Sequence, residues 1–436
     1  MKKVITYGTY DLFHEGHLRL LERARGLGDY LIVGVTSDNF DRERGKLNVK
    51  DSLAARIEAV RATGFADEII VEEYLGQKLS DVIRFGVSVF AIGSDWKGKF
   101  DYLSKHCEVV YLERTKGISS TGLREEGAKL LRLGIVSDSQ DDGDVGAETD
   151  FVSGLEISGV YVPAISGGLA GLGKGDMAAA GAFCAKYDLA AAFGTADELF
   201  AGSDVVYIHT RRRHRFFFAA AALRHGCHVI CDFPLNKPEE AAGICGLVKE
   251  KGLVFADCVP LAYLRTFQQL IWLLQGGAIG QVLSVECAMP THGSFRDAEA
   301  LAAFAVTRIL GTENAGVRRL CVCTRERYDR VVFSYPDAVA SCSASGSKWL
   351  KPGMTVLGSD GRVNVPGAWW NMSYFKMRTG SEDDLRRYSF NIEGPGLRYL
   401  LSEVTQMIAE RRGESIALSH EEAQKLVYLL EQGDLL

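Results

Sequence analysis

Short apolar strands alternate with helix-length segments along this chain, and the alternation runs through twice. Strands joined by helical crossovers pair in parallel, so each pass implies its own parallel sheet with helices on its faces. The first pass opens with the strand KVITYG and the helix HEGHLRLLERARGLG. Leu18, Leu21 and Ala24 recur there at helical spacing, and Gly26 and Gly28 mark the stop. The run YLIVGVTSD suits a strand buried on both faces. A charged loop from Asp41 to Asp51 follows, then helix SLAARIEAVRATG, strand EIIVEE, helix LSDVIRFG and the strands VFAIGSD and CEVVYLER.

The second pass begins with LLRLGIVS near Leu130. The acid-rich, base-free segment SDSQDDGDVGAETD interrupts it. Alternation then resumes through ISGVYVPAIS, GDMAAAGAFCAKY, SDVVYIHT, HRFFFAAAALRHG, CHVICDF, PEEAAGICGLVKEKG and LVFADCV. From about Val282 the texture turns to strand-like runs, and the chain closes on two helices. The second of these starts at a capping box, Ser419 with Glu422. The fold class expected is α/β: a doubly wound parallel sheet over residues 1–130, a second Rossmann-like domain over 131–280, and an open, mainly antiparallel sheet with C-terminal helices over 281–436.

Apolar residues at 47% and charged residues at 24% are ordinary for globular protein. A net charge of −6 argues against a nucleic-acid partner, and no apolar run approaches the ~18 residues that span a bilayer, so no membrane insertion is expected. Ten cysteines spread through a long chain without a signal-like start read as reduced thiols in the cytoplasm.

The chemistry-bearing residues of the first half follow its first strand. His14 and His17 are three apart at a helix start, which places both imidazoles on one face. Gly16 lets a ligand approach the backbone, and free N–H groups there suit phosphate. Two imidazoles over one phosphate fit transfer at phosphorus, where charge moves onto equatorial and bridging oxygens. After the last strand, RTKGISSTGLR supplies a turn at Gly117, hydroxyls on Ser119, Ser120 and Thr121, and the charges of Arg114 and Arg124. That combination cradles further phosphates.

With those residues in order, the first ~130 residues resemble glycerol-3-phosphate cytidylyltransferases of the HxGH nucleotidylyltransferase superfamily. The matching runs are KKVITYGTYDLFHEGHLRLLERARGLGDYLIVGVTSD, GSDWKGKFDYL and CEVVYLERTKGISST. The resemblance implies transfer of CMP from CTP to a small alcohol phosphate, release of pyrophosphate, and Mg²⁺ as cofactor. It places CTP contacts on Thr9, Tyr10, Asp11, His14, Glu15, Gly16, His17, Lys46 and Asp95. It adds the run Arg114, Thr115, Lys116, Gly117, Ile118, Ser119, Ser120 and Thr121. His14, His17, Lys46 and Arg114 take the catalytic positions, and Arg44, Lys78 and Arg56 the acceptor positions. Arg44 stands where the family has lysine, and a second family arginine falls on Gly64, with Arg61 one turn earlier.

Residues ~131–436 resemble the Gfo/Idh/MocA-type oxidoreductases through SDVVYIHT, ALRHGCHVICDFPL, GGAIGQVLSVE, GSDGRVNVPGAWW and EGPGLRYLLSEVTQMI. That resemblance implies nicotinamide-dependent hydride transfer and a sheet that often forms dimers, hence a homodimer or higher homo-oligomer. The implied functional positions depart from the family. Ser137, Asp138, Ser139, Gln140, Asp141 and Asp142 replace a glycine-rich turn, and carboxylates repel a diphosphate. Asp232, Phe233 and Pro234 replace a Glu-Lys-Pro triplet, and Phe cannot donate a proton. No acid follows the second strand for a ribose, and EALAAFAVTRILG lacks the family's Asp-x-Gly. The second half is therefore expected to be a catalytically silent scaffold. A bifunctional enzyme that first reduces a keto- or aldehyde-phosphate, and a binding or assembly module, are the alternatives.

RRRHR, Arg211 to Arg215, follows the strand where cofactor or substrate would lie and reads as a solvated basic loop, with the binding of an anionic ligand or polymer as the alternative. His225, Cys227, His228 and Cys231 lie across a helix end and an apolar strand, where Cys is a common buried residue, and do not read as a metal site. Trp369 and Trp370 read as packing. The implied product is a CDP-alcohol for a cell-surface polymer such as teichoic acid or capsule.

Overall fold

The protein is described here by a computed structural model. It covers residues 1–43, 45–74, 76–113, 130–138, 145–164, 174–187, 189, 191–291, 295–313, 315–323, 327–380, 384–390 and 394–432. The chain divides into two compact units, one of residues 1–130 with 150–154, the other of 131–149 with 155–436.

The first unit is built on a five-stranded parallel sheet in the order Glu68–Glu72, Tyr30–Thr36, Lys3–Gly8, Val89–Gly93, Glu108–Leu112. Its central strand is buried on both faces, which is why the run reads as continuously apolar. Val4 and Tyr10 face one core with Leu21, Ala24 and Val60, whereas Ile5 and Tyr7 face the other with Val82 and Phe90. A short helix, Asp38–Glu43, occupies the start of the segment read from sequence as a charged loop. Its Asp41 carboxylate is buried and accepts from the Thr36 hydroxyl at 2.7 Å, so the local charge is spent inside the fold.

The second unit carries another parallel sheet, ordered Phe255–Cys258, His228–Asp232, Val205–His209, Leu131–Ser137, Leu155–Tyr161. It also carries an eight-stranded sheet in the order Gly316–Cys323, Arg327–Ser334, Val339–Ser345, Val282–Pro290, Gly353–Gly358, Gly361–Pro366, Tyr374–Thr379, Leu385–Ser389. All neighbours there are antiparallel except Val282–Pro290 with Val339–Ser345, which run parallel in the register Ser284 to Val339. Helix Phe295–Leu310 lies between those two strands in sequence and packs on both, and such a crossover is what a parallel pair requires. The α/β class and the mainly antiparallel second sheet agree with the sequence reading. Ser419 and Glu422 form the expected capping box on helix His420–Gln432. Trp369 is fully buried, with its indole N–H donating to the Ala288 carbonyl at 3.1 Å.

RRRHR departs from its reading. The helix begins at Arg212, and Arg215 is buried against Asp297 through two 3.0 Å contacts. A basic run is not a solvated loop when a carboxylate from another element lies within reach. No helix among the described residues is long and apolar enough to cross a membrane.

Candidate active site

The central strand of the first unit ends at Gly8, and the chain then makes a tight turn through Thr9 to His14 before helix Glu15–Arg25. Tyr10 and Leu12 adopt φ of 57° and 46° within it. Positive φ costs a non-glycine residue ~1–3 kcal/mol and persists only where surroundings impose it. Those surroundings can be named. The Asp11 carboxylate accepts from the backbone N–H of Lys50 and of Asp51, each at 2.9 Å. The Asp51 carboxylate in turn accepts from Leu12 N–H at 2.8 Å. Arg56, fully buried, donates to the carbonyls of Thr9 and Thr36 at 2.8 Å each and of Asp51 at 3.1 Å, and pairs with Asp38 and Asp41.

The turn presents the two histidines as a stack. His14 is the N-cap residue, and its Nδ1 accepts from Gly16 N–H at 3.0 Å. An accepting Nδ1 puts the proton of a neutral imidazole on Nε2, so His14 is set as an Nε2–H donor. The rings of His14 and His17 lie 3.9 Å apart at 17°. His17 also rests on Tyr10 and Phe13, each at 5.4 Å between centroids. Burial pushes the Tyr10 hydroxyl pKa up, so Tyr10 serves as a neutral wall. Lys46 reaches the same turn from the following segment and donates to the Thr9 hydroxyl at 2.7 Å.

Thr9, Tyr10, Asp11, His14, Gly16, His17 and Lys46 are thus brought together around one turn. Glu15 lies on the exposed helix face, 2.8 Å from Arg19. Asp95 is exposed just beyond strand Val89–Gly93, the neighbour of the central strand. Lys78 pairs with Glu72 and lies 4.6 Å from the Tyr7 ring, on the sheet face opposite the Tyr10 core. Arg61 pairs with Glu58 on an exposed surface. Arg44 and the run Arg114, Thr115, Lys116, Gly117, Ile118, Ser119, Ser120 and Thr121 lie outside the described residues. Among the described residues no group of three or more His, Cys, Asp or Glu side chains could hold a metal ion. Asp38, Asp41 and Asp51, which brace the turn, were not singled out from sequence. Their signal was an acid at each end of the loop that the turn leans on.

In the second unit, Asp138 directly follows strand Leu131–Ser137, and its side chain is buried. His214 lies 2.9 Å from one oxygen and Arg211 N–H donates to the other at 2.7 Å. Its charge is therefore met inside the protein, which weakens the repulsion argued from sequence at that residue. Ser139 to Asp142 lie outside the described residues. Phe233 is buried in the apolar core where a lysine was sought. Beside it, His209 Nδ1 lies 2.9 Å from Asp232, and Tyr207 donates to the same carboxylate at 3.0 Å. Burial opposes the Asp232 charge, but His209 and Arg215 outweigh it and hold the carboxyl below its usual range. Cys227 donates to the carbonyls of Phe200 and Ser203, and His228 Nδ1 accepts from Val254 N–H, as expected of structural residues.

Comparison with known proteins follows the same division. Residues 5–126 match the cytidylyltransferase-like family, and residues 161–257 match the oxidoreductase family with an NAD-binding Rossmann fold. The glycerol-3-phosphate cytidylyltransferase of Bacillus subtilis is 49% identical over 130 residues, which are 30% of this chain and 100% of that protein. That of Staphylococcus aureus is 48% identical over 128 residues, 29% of this chain and 95% of that protein. A UDP-N-acetylglucosamine 3-dehydrogenase from Acidithiobacillus ferrooxidans superposes with a TM-score of 0.55 at 17% identity, covering 70% of this chain and 97% of its own. A 3-ketoreductase from Actinomadura kijaniata, solved with NADP, gives 0.60 at 13%, covering 70% and 97%. At such identities the structural likenesses bear on fold alone.

Proposed function

Through its first 130 residues the chain belongs to the glycerol-3-phosphate cytidylyltransferase family and is a nucleotidyltransferase, and from that premise we propose that it transfers CMP from CTP to a small alcohol phosphate, glycerol phosphate or a related polyol phosphate. An oxygen of the acceptor phosphate attacks the α-phosphorus. A new P–O bond forms, the bond to the bridging oxygen breaks, and pyrophosphate leaves with both electrons. The attacking oxygen is already anionic, so no strong base is needed, and positioning with charge stabilisation carries the rate.

The observation that carries this reading is the stacked pair His14 and His17. The Gly16 contact fixes His14 as an Nε2–H donor, and a donor aimed at a phosphate oxygen strengthens as charge builds there. Lys46, held on Thr9, adds a cation to the same turn. The rigid brace beneath keeps these groups in place without ordering them at each turnover. Mg²⁺ fits as a passenger on the triphosphate: it usually takes few protein carboxylates and several phosphate oxygens, and Asp95 is an exposed carboxylate beyond a strand next to the central one. When bound it would spread the charge of the leaving pyrophosphate.

We assign the second unit no nicotinamide hydride transfer, because Phe233 falls where the resemblance to the oxidoreductases puts a proton-donating lysine. A CTP-consuming reaction suits the cytoplasm, the resemblance of the second unit supports a homo-oligomer, and a CDP-alcohol product suits polymer synthesis at the cell surface.

The test is pyrophosphate release by the purified protein with CTP and a panel of alcohol phosphates. CTP should serve far better than ATP, and His17→Ala should lower kcat at least ~100-fold, the scale for one lost oxyanion donor. Full turnover in that variant refutes the assigned role.

A further inference from the structure

Among the described residues, the carboxyl edge of the second unit's parallel sheet holds an arginine that no carboxylate pairs. Arg212 opens helix Arg212–Arg224, directly after strand Val205–His209, and is half-buried. Its Nε donates to the Leu235 carbonyl at 3.2 Å and its Nη2 to the Asn236 carbonyl at 3.1 Å. Those contacts fix the guanidinium, and among the described residues it has no carboxylate partner. The acids among the described residues there have other partners. Asp297 takes Arg215 in a two-point contact, Asp232 takes His209, and Glu299 takes Arg319 at 2.8 Å. Burial first, and Arg296, Arg215 and Arg319 besides, push the Arg212 pKa down, against a raising influence from Asp297. A cation desolvated among like charges is destabilising until an anion meets it.

We propose that this corner of the second unit binds the phosphate of a small phosphomonoester, with Arg212 as the residue that grips it. A guanidinium presents paired N–H donors in the fork that phosphate oxygens match. The place is one where open α/β sheets take ligands, at the carboxyl ends of the strands. Arg215, one turn further along the helix, is turned the other way, to Asp297 and, at 3.8 Å, to Asp232. This site is separate from the cytidylyl-transfer site and stands whether or not that reaction is as proposed.

Hydrogen exchange on the full-length protein tests it, with inorganic phosphate, glycerol 3-phosphate and NADPH as separate probes. Inorganic phosphate and glycerol 3-phosphate should slow exchange at the amides of 210–216. Arg212→Gln should weaken that protection roughly 10–100-fold in ligand concentration, the worth of a charged hydrogen bond. Arg224→Gln, at the far end of the same helix, should leave the protection intact, and CTP-dependent pyrophosphate release should be unchanged in both variants. Should Arg212→Gln unfold, the wild-type exchange map and Arg212→Lys decide, the latter keeping weakened protection. No protection at 210–216 from either phosphate, protection untouched by Arg212→Gln or Arg212→Lys, or protection by NADPH alone each overturns the proposal.

Discussion

Replacing Arg56 by Met separates bracing from ligand contact in the first unit. The Arg56 side chain is fully buried and its donors serve the Thr9, Thr36 and Asp51 carbonyls besides Asp38 and Asp41. Met matches its length without its charge. Asp41, only 1% exposed, would then keep the Thr36 hydroxyl but lose the Arg56 guanidinium. Two buried carbonyls would lose their donors as well. Breaking a buried pair this way costs about 3–5 kcal/mol, or roughly 150- to 5000-fold in the folding equilibrium. For a domain of this size that lowers the melting temperature by roughly 10–20 °C. The assay is turnover with CTP after graded urea exposure, compared with kcat and both KM values in the absence of urea. The turn from Thr9 to His14 loses its floor, so kcat and the KM for CTP should worsen together with stability. A stability loss below about 1 kcal/mol, with only the acceptor KM raised, would refute the bracing role and return Arg56 to direct contact with the acceptor.

Three further outcomes are expected. Burial raises the Asp257 carboxyl to about 7 despite Arg215, against about 3.9 when unfolded, so its contribution to second-unit stability is complete below about pH 4 and is lost as pH rises through 7. Calorimetry of Asp257→Asn should therefore show a flatter pH dependence than the native chain between those values, and an unchanged slope counts against it. Phe233→Lys should leave NADPH oxidation at background with keto-phosphates, because a lone buried lysine rebuilds no cofactor seat, and measurable oxidation would contradict that reading. Chelation with EDTA should abolish pyrophosphate release and Mg²⁺ should restore it; turnover that survives chelation removes the metal from the account.

The first unit's site was legible because its chemistry is local. His14, Gly16 and His17 sit within one turn of chain, and local geometry follows from spacing: the cap, the helix start and the ring stack all involve neighbours. The brace was not legible. Arg56 meets Thr9 47 positions away, and Asp11 meets Lys50 39 away. Only the folded sheet brings the ends of two parallel strands and the following helix to one point. A sequence reading that assigns Arg56 by resemblance sees an arginine near phosphate chemistry, but not that every donor atom is already engaged beneath the turn.

The same distinction governs the second unit, where charge was read from composition and the structure redistributes it. Asp138 looked like a repulsive carboxylate, yet His214 lies 2.9 Å from it across 76 positions of chain. The basic run Arg211–Arg215 looked like one surface feature, yet its members part company. Arg215 goes inward to Asp297, Arg213 stays exposed beside His214, and Arg212 stops between, half-buried. Helical geometry makes that division necessary, because successive residues turn about 100° and cannot share one environment. A like-charged run at a helix start therefore splits into structural and ligand-facing members. Which member faces a ligand depends on which carboxylates other elements deliver, and Asp297, from a helix 82 positions downstream, chose Arg215 and left Arg212 for an anion from outside.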